Sequence, residues 1–245
     1  MNIPNKVDEK SPLSKVLKSK KGEQYVHIGS NNFVLMYNMM IGIKKSVDSC
    51  IDHPCYKIQK DDFRLKCKFY IDPYSITSNA KRKYRQCIFV DYSPQIFNNI
   101  RRLFGINKED YLKDLGPQQL IMAAWHGDFN SWIKSASSGK SGSFFYYTKN
   151  AKYILKTISK KEALFLRKIL PNYYNHLKDY PDTLITRYYG AHKISFYKNK
   201  SFSSKVIYFT IMNNVFLTSK TIDIRYDLKG SVVGRTTKDQ SYGFK

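Results

Sequence analysis

The sequence predicts an α+β fold: an antiparallel sheet with a helix packed on it, preceded by a helix/strand N-terminal region. Three observations predict it. Apolar residues spaced by three and four recur over 30–47 and 94–125, which is the helical period. Short β-rich runs separated by polar turns fill much of the chain from Phe144 to Met212. Between two pairs of those runs, Ser159 and Glu162 form a Ser-x-x-Glu capping box that opens a helix. The chain has 245 residues, 42% of them apolar, enough to bury a real core. Aromatic residues make up 15%, too many for a disordered basic segment. The net charge of +23 calls for a polyanionic partner, such as a nucleotide, a nucleic acid or an anionic membrane.

Residues 1–24 are polar and carry Lys10, Lys15, Lys18, Lys20 and Lys21, and read as a flexible basic tail. Residues 25–136 form the N-terminal helix/strand region. Phe33, Met36, Tyr37, Met40, Ile43 and Val47 make its first helical stripe, read as core or as a homodimer contact through residues 30–47. Leu65–Ile71 and Cys87–Tyr92 are strand-like, joined by a polar linker with Lys81, Arg82, Lys83 and Arg85. Ile96, Ile100, Leu103 and Phe104 line a helix that Gly105 ends, and Tyr111, Leu115, Leu120 and Met122 continue in a second helical segment.

From residue 137 the texture becomes β. A Gly/Ser loop over 137–143 leads into Phe144–Tyr147 and Tyr153–Ile158, a hairpin turning at Lys149 and Asn150. The helix from Ser159 buries Leu166, Ile169 and Leu170, and Pro171 restarts or kinks it. Strands follow near Arg187–Phe196 and Lys205–Met212, and Thr221–Lys229 reads as a last strand. No run of 18 apolar residues occurs, and Met1–Gly22 lacks the apolar core of a secretory signal. Cys50, Cys55, Cys67 and Cys87 make no C-x-x-C pair, so zinc is not expected and reduced thiols are. The five histidines, His27, His53, His126, His176 and His192, are scattered and read as structural or surface residues.

The order loop, strand, strand with a mid-strand lysine, helix with an early glutamate, two strands is that of a kinase-like small lobe. Gly139 and Gly142 leave room for backbone N–H groups to approach phosphate oxygens, and Ser141 and Ser143 add hydroxyls. Lys156 lies among Ile154, Leu155 and Ile158, where an ammonium needs a carboxylate or a bound anion. Glu162 could supply that pair, and its capping role alone also accounts for it.

Five motifs together resemble the phosphatidylinositol phosphate kinase family, most of all the phosphatidylinositol 4-phosphate 5-kinases. They are G-K-S-G-S-F-F at 139–145, I-L-K-T-I at 154–158, L-P-N-Y-Y at 170–174, M-N-N-V-F at 212–216 and Y-D-L-K-G-S at 226–231. The stretches M-M-I-G-I-K-K-S-V at 39–47, F-V-D-Y-S-P at 89–94 and R-R-L-F-G-I at 101–106 extend the likeness. The resemblance implies ATP and Mg2+ as cofactors. It places Gly139, Lys140, Ser141, Gly142 and Ser143 over the ATP phosphates, with Lys156 on a phosphate and paired with Glu162. Met212, Asn213 and Asn214 would face adenine, and Asp227, Lys229 and Arg235 would lie near nucleotide and inositol phosphate.

The same resemblance implies the cytoplasmic face of the plasma membrane as location and an anionic phosphoinositide surface as partner. The family's M-D-Y-S-L catalytic loop and I-I-D metal motif do not occur among these residues. No catalytic or metal residue is therefore assigned. The expectation is an N-terminal part of the kinase, with 137–245 as a truncated small lobe, inactive alone. The alternative is a non-catalytic module that binds anionic membrane or dimerises. Nucleic acid is not expected, because the basic residues match no nucleic-acid motif.

Overall fold

The computed structural model describes residues 23–25, 31–51, 56–72, 86–125, 133–136, 143–197 and 204–224. The elements in chain order are β1 (Glu23–Tyr25), α1 (Asn31–Ser49), a 3-10 turn (Lys60–Phe63), β2 (Lys66–Ile71) and β3 (Gln86–Tyr92). Then come α2 (Pro94–Leu103), α3 (Lys108–Leu115), α4 (Pro117–Trp125) and β4 (Ile133–Ala136). The remainder are β5 (Phe144–Tyr147), β6 (Tyr153–Ile158), α5 (Lys160–Asp179), β7 (Tyr188–Tyr197) and β8 (Ser204–Asn213).

The described strands form one eight-stranded antiparallel sheet in the order β1-β4-β5-β6-β8-β7-β3-β2. The α+β reading holds, but the sheet is larger than the five strands expected from 139 to 228. Residues 25–136 contribute β2, β3 and β4 to it, and β1 starts inside the segment read as tail. The boundary drawn at residue 136 falls between β4 and β5, which are hydrogen-bonded neighbours. Contacts group Met1–Val215 and Phe216–Lys245 as two units.

Alternation gives the sheet two faces. One face carries Phe89, Ile194, Leu155, Phe209 and Ile211, all buried. Helix α1 packs on this side of β2 and β3. Gly42 permits the approach, because the Phe89 ring occupies the place a Cβ would take. Met36, Met39 and Met40 of α1 have no exposed surface, so of the two readings of that stripe, core or homodimer contact, the structure displays the core. The core also holds a polar group: Ser46 donates to the Asp91 carboxylate, which faces His192 Nδ1 at 2.9 Å. The other face carries Phe145, Lys156, Met212 and Tyr208, and α5 packs against part of it through Arg167 over Tyr92 and Tyr173 beside Tyr188.

Helix ends follow local chemistry. Pro94 opens α2, where its missing N–H costs nothing. Gly105 follows the end of α2 at φ +66°, the left-handed conformation that suits glycine. Asn107 caps α3 by accepting from the Asp110 N–H at 2.7 Å.

Two readings are corrected. Pro171 does not restart the helix: α5 runs from Lys160 to Asp179 with Pro171 inside it, and Leu166, Leu170, Tyr173 and Leu177 keep one buried face on both sides of it. Thr221–Ile224 is irregular and exposed: its alternating isoleucines meet no partner strand among the described residues, and without a ladder the pattern does not make a strand. The rest of that expected strand, 225–229, lies outside the described residues, as does the basic linker Lys81–Arg85.

Candidate functional site

Three strands and one helix surround Lys156. In β6 it stands opposite Phe145 of β5 and Thr210 of β8. Tyr153 and Leu155 point into the core, so Lys156 points to the face that α5 partly covers. Its Nζ lies 5.5 Å from the centre of the Phe145 ring. No carboxylate comes within ion-pairing distance of it among the described residues. A half-buried ammonium on a face with Ile154 and Met212 thus retains its hydrogen-bonding capacity for an anion.

Glu162 does not supply the pair. Its carboxylate accepts from the Ser159 N–H at 2.6 Å while Ser159 Oγ accepts from the Glu162 N–H at 3.2 Å, the reciprocal capping box. Its pKa is lowered chiefly by those bonds to Ser159, with Lys156 the smallest contributor. Of the two roles open to Glu162, the structure displays the cap.

The phosphate-loop residues Gly139, Lys140, Ser141 and Gly142 lie outside the described residues. Ser143, the last of that loop, is buried at the entry to β5. The Phe144 N–H donates to Thr157 Oγ1 at 2.8 Å, fixing the start of the strand that follows the loop. Asp227, Lys229 and Arg235 also fall outside the described residues.

Met212, Asn213 and Asn214 come at the end of β8. Met212 stands between Ile154 and Tyr188. Asn213 is a brace: its backbone N–H donates to the Arg187 carbonyl at 3.0 Å, and its side-chain oxygen accepts from the Arg187 N–H at 2.8 Å. Asn214 ties the same segment to the hairpin turn, donating from its backbone to Lys152 and from Nδ2 to the Ala151 carbonyl at 2.9 Å. The asparagine side chains are thus spent on the backbone, and Met212 is left facing the site.

Sequence reasoning missed Arg101. It is buried, donates to the Tyr189 carbonyl at 2.8 Å and to Asn98 Oδ1 at 3.1 Å, and lies over the Tyr111 ring at 4.6 Å. Tyr189 is the extra residue of a bulge in β7, between Tyr188 and Gly190. The neighbouring Arg-Arg pair and the aromatic Tyr111 carried no signal of this contact, because the carbonyl is 88 residues away in sequence.

A sheet that holds a lysine available to an anion, beside a helix entered through a Ser-x-x-Glu box, defines a kinase-like small lobe. Residues 128–243 match the family model of phosphatidylinositol-4-phosphate 5-kinase. The chain is 42% identical over 217 residues to phosphatidylinositol 4-phosphate 5-kinase of Plasmodium falciparum, covering 87% of this chain and 12% of that one. It is 36% identical over 209 residues to the its3 phosphatidylinositol 4-phosphate 5-kinase of Schizosaccharomyces pombe, covering 84% and 26%. It is 33% identical over 228 residues to phosphatidylinositol 4-phosphate 5-kinase 1 of Oryza sativa, covering 88% and 26%. Over most of its own length the chain is thus similar to phosphatidylinositol 4-phosphate 5-kinases. It spans between about an eighth and a quarter of the length of these relatives.

Proposed function

We propose that this chain is the ATP-holding part of a kinase that converts phosphatidylinositol 4-phosphate to phosphatidylinositol 4,5-bisphosphate. The observation that carries the reading is Lys156, a half-buried ammonium beside Ile154 and Met212 with no carboxylate within ion-pairing distance among the described residues. It fits the α- or β-phosphate of ATP, with Gly139–Ser143 supplying backbone N–H groups above it. Met212 fits the adenine ring, and Asn213 and Asn214 are assigned beside it. Asp227, Lys229 and Arg235 are assigned to the region of the nucleotide and the inositol phosphate.

Magnesium, the ion that accompanies ATP, finds no ligand set among the described residues. No group of three His, Cys, Asp or Glu side chains gathers there, and Glu162 is committed to its cap. Residues 1–245 hold nucleotide without transferring phosphate, because a phosphate cradle alone gives little transition-state stabilisation. The surface charge suits the anionic cytoplasmic face of the plasma membrane. That charge also favours a second reading, a non-catalytic module held on anionic membrane.

The test is transfer of labelled phosphate from ATP to phosphatidylinositol 4-phosphate in vesicles. Residues 1–245 are expected to be silent, and a chimera continuing into the downstream residues of a family relative is expected to be active. Lys156→Met should abolish the chimera's turnover with the fold retained. Robust turnover by residues 1–245 would refute the need for further residues. Full activity of the Lys156→Met chimera would refute the nucleotide assignment.

A further inference from the structure

The ladder between β7 and β8 decides which of two adjacent tyrosines meets the site. From Tyr197 back to Gly190 the pairing is regular, and that register would set Tyr189 opposite Met212. The bulge takes up Tyr189 as an extra residue, and Tyr188 stands opposite Met212 instead. Paired residues share a face, so Tyr188 lies on the face that carries Met212, Ile154 and Lys156. Tyr189 turns into the core, where its ring meets the Tyr153 ring edge-on at 5.7 Å. A slip of one residue would exchange the two rings between faces.

The ladder alone does not hold the bulge. The extra residue has no partner in β8, so the carbonyl of this buried tyrosine needs a donor from elsewhere. Arg101 of α2 is that donor, at 2.8 Å. Its other terminal nitrogen donates to Asn98 Oδ1 at 3.1 Å, which fixes the plane of the guanidinium. The Tyr111 hydroxyl reaches the same carbonyl at 3.5 Å. A second grip lies two residues earlier in β7's approach. Phe104, at the end of α2, meets the Arg187 guanidinium at 4.4 Å, and Arg187 exchanges backbone and side-chain bonds with Asn213. From the other side α5 steadies Tyr188, whose N–H donates to the Tyr173 hydroxyl at 2.8 Å and whose ring lies 5.8 Å from the Tyr173 ring. The half-buried Tyr188 ring is thus held beside Met212, a flat apolar surface suited to a flat heterocycle.

We propose that Arg101 is a positioning residue of the nucleotide site: by holding the Tyr189 carbonyl in the β7 bulge it keeps Tyr188, rather than Tyr189, against Met212, and the two side chains form the wall that receives adenine. The inference rests on the nucleotide reading of the Lys156 face and adds the part of the site that reads the base.

Two measurements on residues 1–245 test it. The first needs no nucleotide. With the methionine methyl groups labelled with carbon-13, Arg101→Gln should move the Met212 methyl resonance and leave those of Met36, Met39 and Met40 in place. Arg101→Lys, which keeps one donor for the carbonyl, should return it toward the wild-type position. Asn98→Ala leaves Arg101 present but unfixed, and should move the same resonance in the same direction if Arg101→Gln does not fold. The second is calorimetric titration with a non-hydrolysable ATP analogue and with inorganic tripolyphosphate. Arg101→Gln, Asn98→Ala and Tyr188→Leu should weaken the analogue about five-fold or more and change tripolyphosphate by less than about two-fold. Lys156→Met should weaken both by about ten-fold or more. An unmoved Met212 resonance in both Arg101→Gln and Asn98→Ala would overturn the positioning role. Equal weakening of the two ligands in those variants would overturn it in favour of a general loosening of the sheet. A wild type that binds neither ligand would overturn the nucleotide reading and the adenine wall with it, while the methyl spectrum still decides whether Arg101 sets Met212.

Discussion

Replacing Lys156 by methionine separates nucleotide binding from folding. The lysine stem runs along the sheet and its Nζ lies 5.5 Å from the Phe145 ring centre. That cation–π contact is worth about 0.5–1 kcal/mol at a half-exposed position. Methionine keeps most of the stem volume, so the loss of stability should stay below about 1 kcal/mol, a fall of about 2–4 °C in Tm for a chain of this size. Nucleotide binding is affected far more. One charge-assisted hydrogen bond to a phosphate contributes about 1.5–3 kcal/mol, which is about 10- to 150-fold in Kd. Glu162→Gln is the counterpart. Glutamine preserves the capping box, and the carboxylate it replaces pairs with Ser159, so affinity should change less than about two-fold. Isothermal titration with a non-hydrolysable ATP analogue, run beside thermal melts of the wild type, both single variants and the double variant, gives the full cycle. An unchanged Kd for Lys156→Met would refute the placement of that ammonium at the phosphates. A coupling above about 1 kcal/mol between the two positions would refute the separation of Glu162 from Lys156.

The cap itself is open to a simple test. Ser159→Ala should cost about 1 kcal/mol in urea denaturation, because the Glu162 N–H loses its acceptor. Glu162 and Asp48 both have lowered pKa values, Glu162 from its bonds to Ser159 and Asp48 chiefly from its bond to Lys44. Their stabilisation is present above the unfolded values of 4.5 and 3.8 and is lost as pH falls through the lowered folded values. The urea midpoint should therefore drop on acidification below those values, and less steeply in Glu162→Gln. Cys87 is buried and its thiol is pushed up to about 12, so alkylation at neutral pH, followed by mass spectrometry, should label it only at the rate of unfolding. Prompt labelling of Cys87 in the native protein would contradict the burial.

Periodicity made most elements legible. The α1 stripe, the β5–β6 hairpin, the Ser159 box and the last strand pair are local patterns, and each lies where its spacing placed it. Two kinds of feature were not legible. The first is what a face meets. The methionines of α1 suit a partner as well as a core, and only the closeness of Gly42 to Phe89 decides for the core. Likewise Ile222 and Ile224 alternate as a strand would, yet no neighbouring strand among the described residues meets them. The second is polar contact across long sequence separation. Ser46, Asp91 and His192 come from α1, β3 and β7, and no spacing rule links them. For the site, residue types pointed to Lys156 and left Glu162 two roles, the cap on Ser159 and a pair with Lys156, of which the structure displays the cap.

Those long-range contacts also explain how the region read as N-terminal bears on the site. Arg101 of α2 holds the Tyr189 carbonyl at the β7 bulge. The bulge shifts register by one residue, so that Tyr188 rather than Tyr189 stands opposite Met212. Just before it, Arg187 exchanges backbone and side-chain bonds with Asn213. A guanidinium buried with no carboxylate paired to it among the described residues is costly, and it persists because the bulge carbonyl, Asn98 and the Tyr111 ring together take the place of water. The segment Met212–Asn214 is therefore positioned from two sides, by Asn214 on the β5–β6 turn and by Arg101 through β7. Helix α2 and the strands around Lys156 are coupled parts of one sheet assembly, and β7 is the element through which the coupling runs.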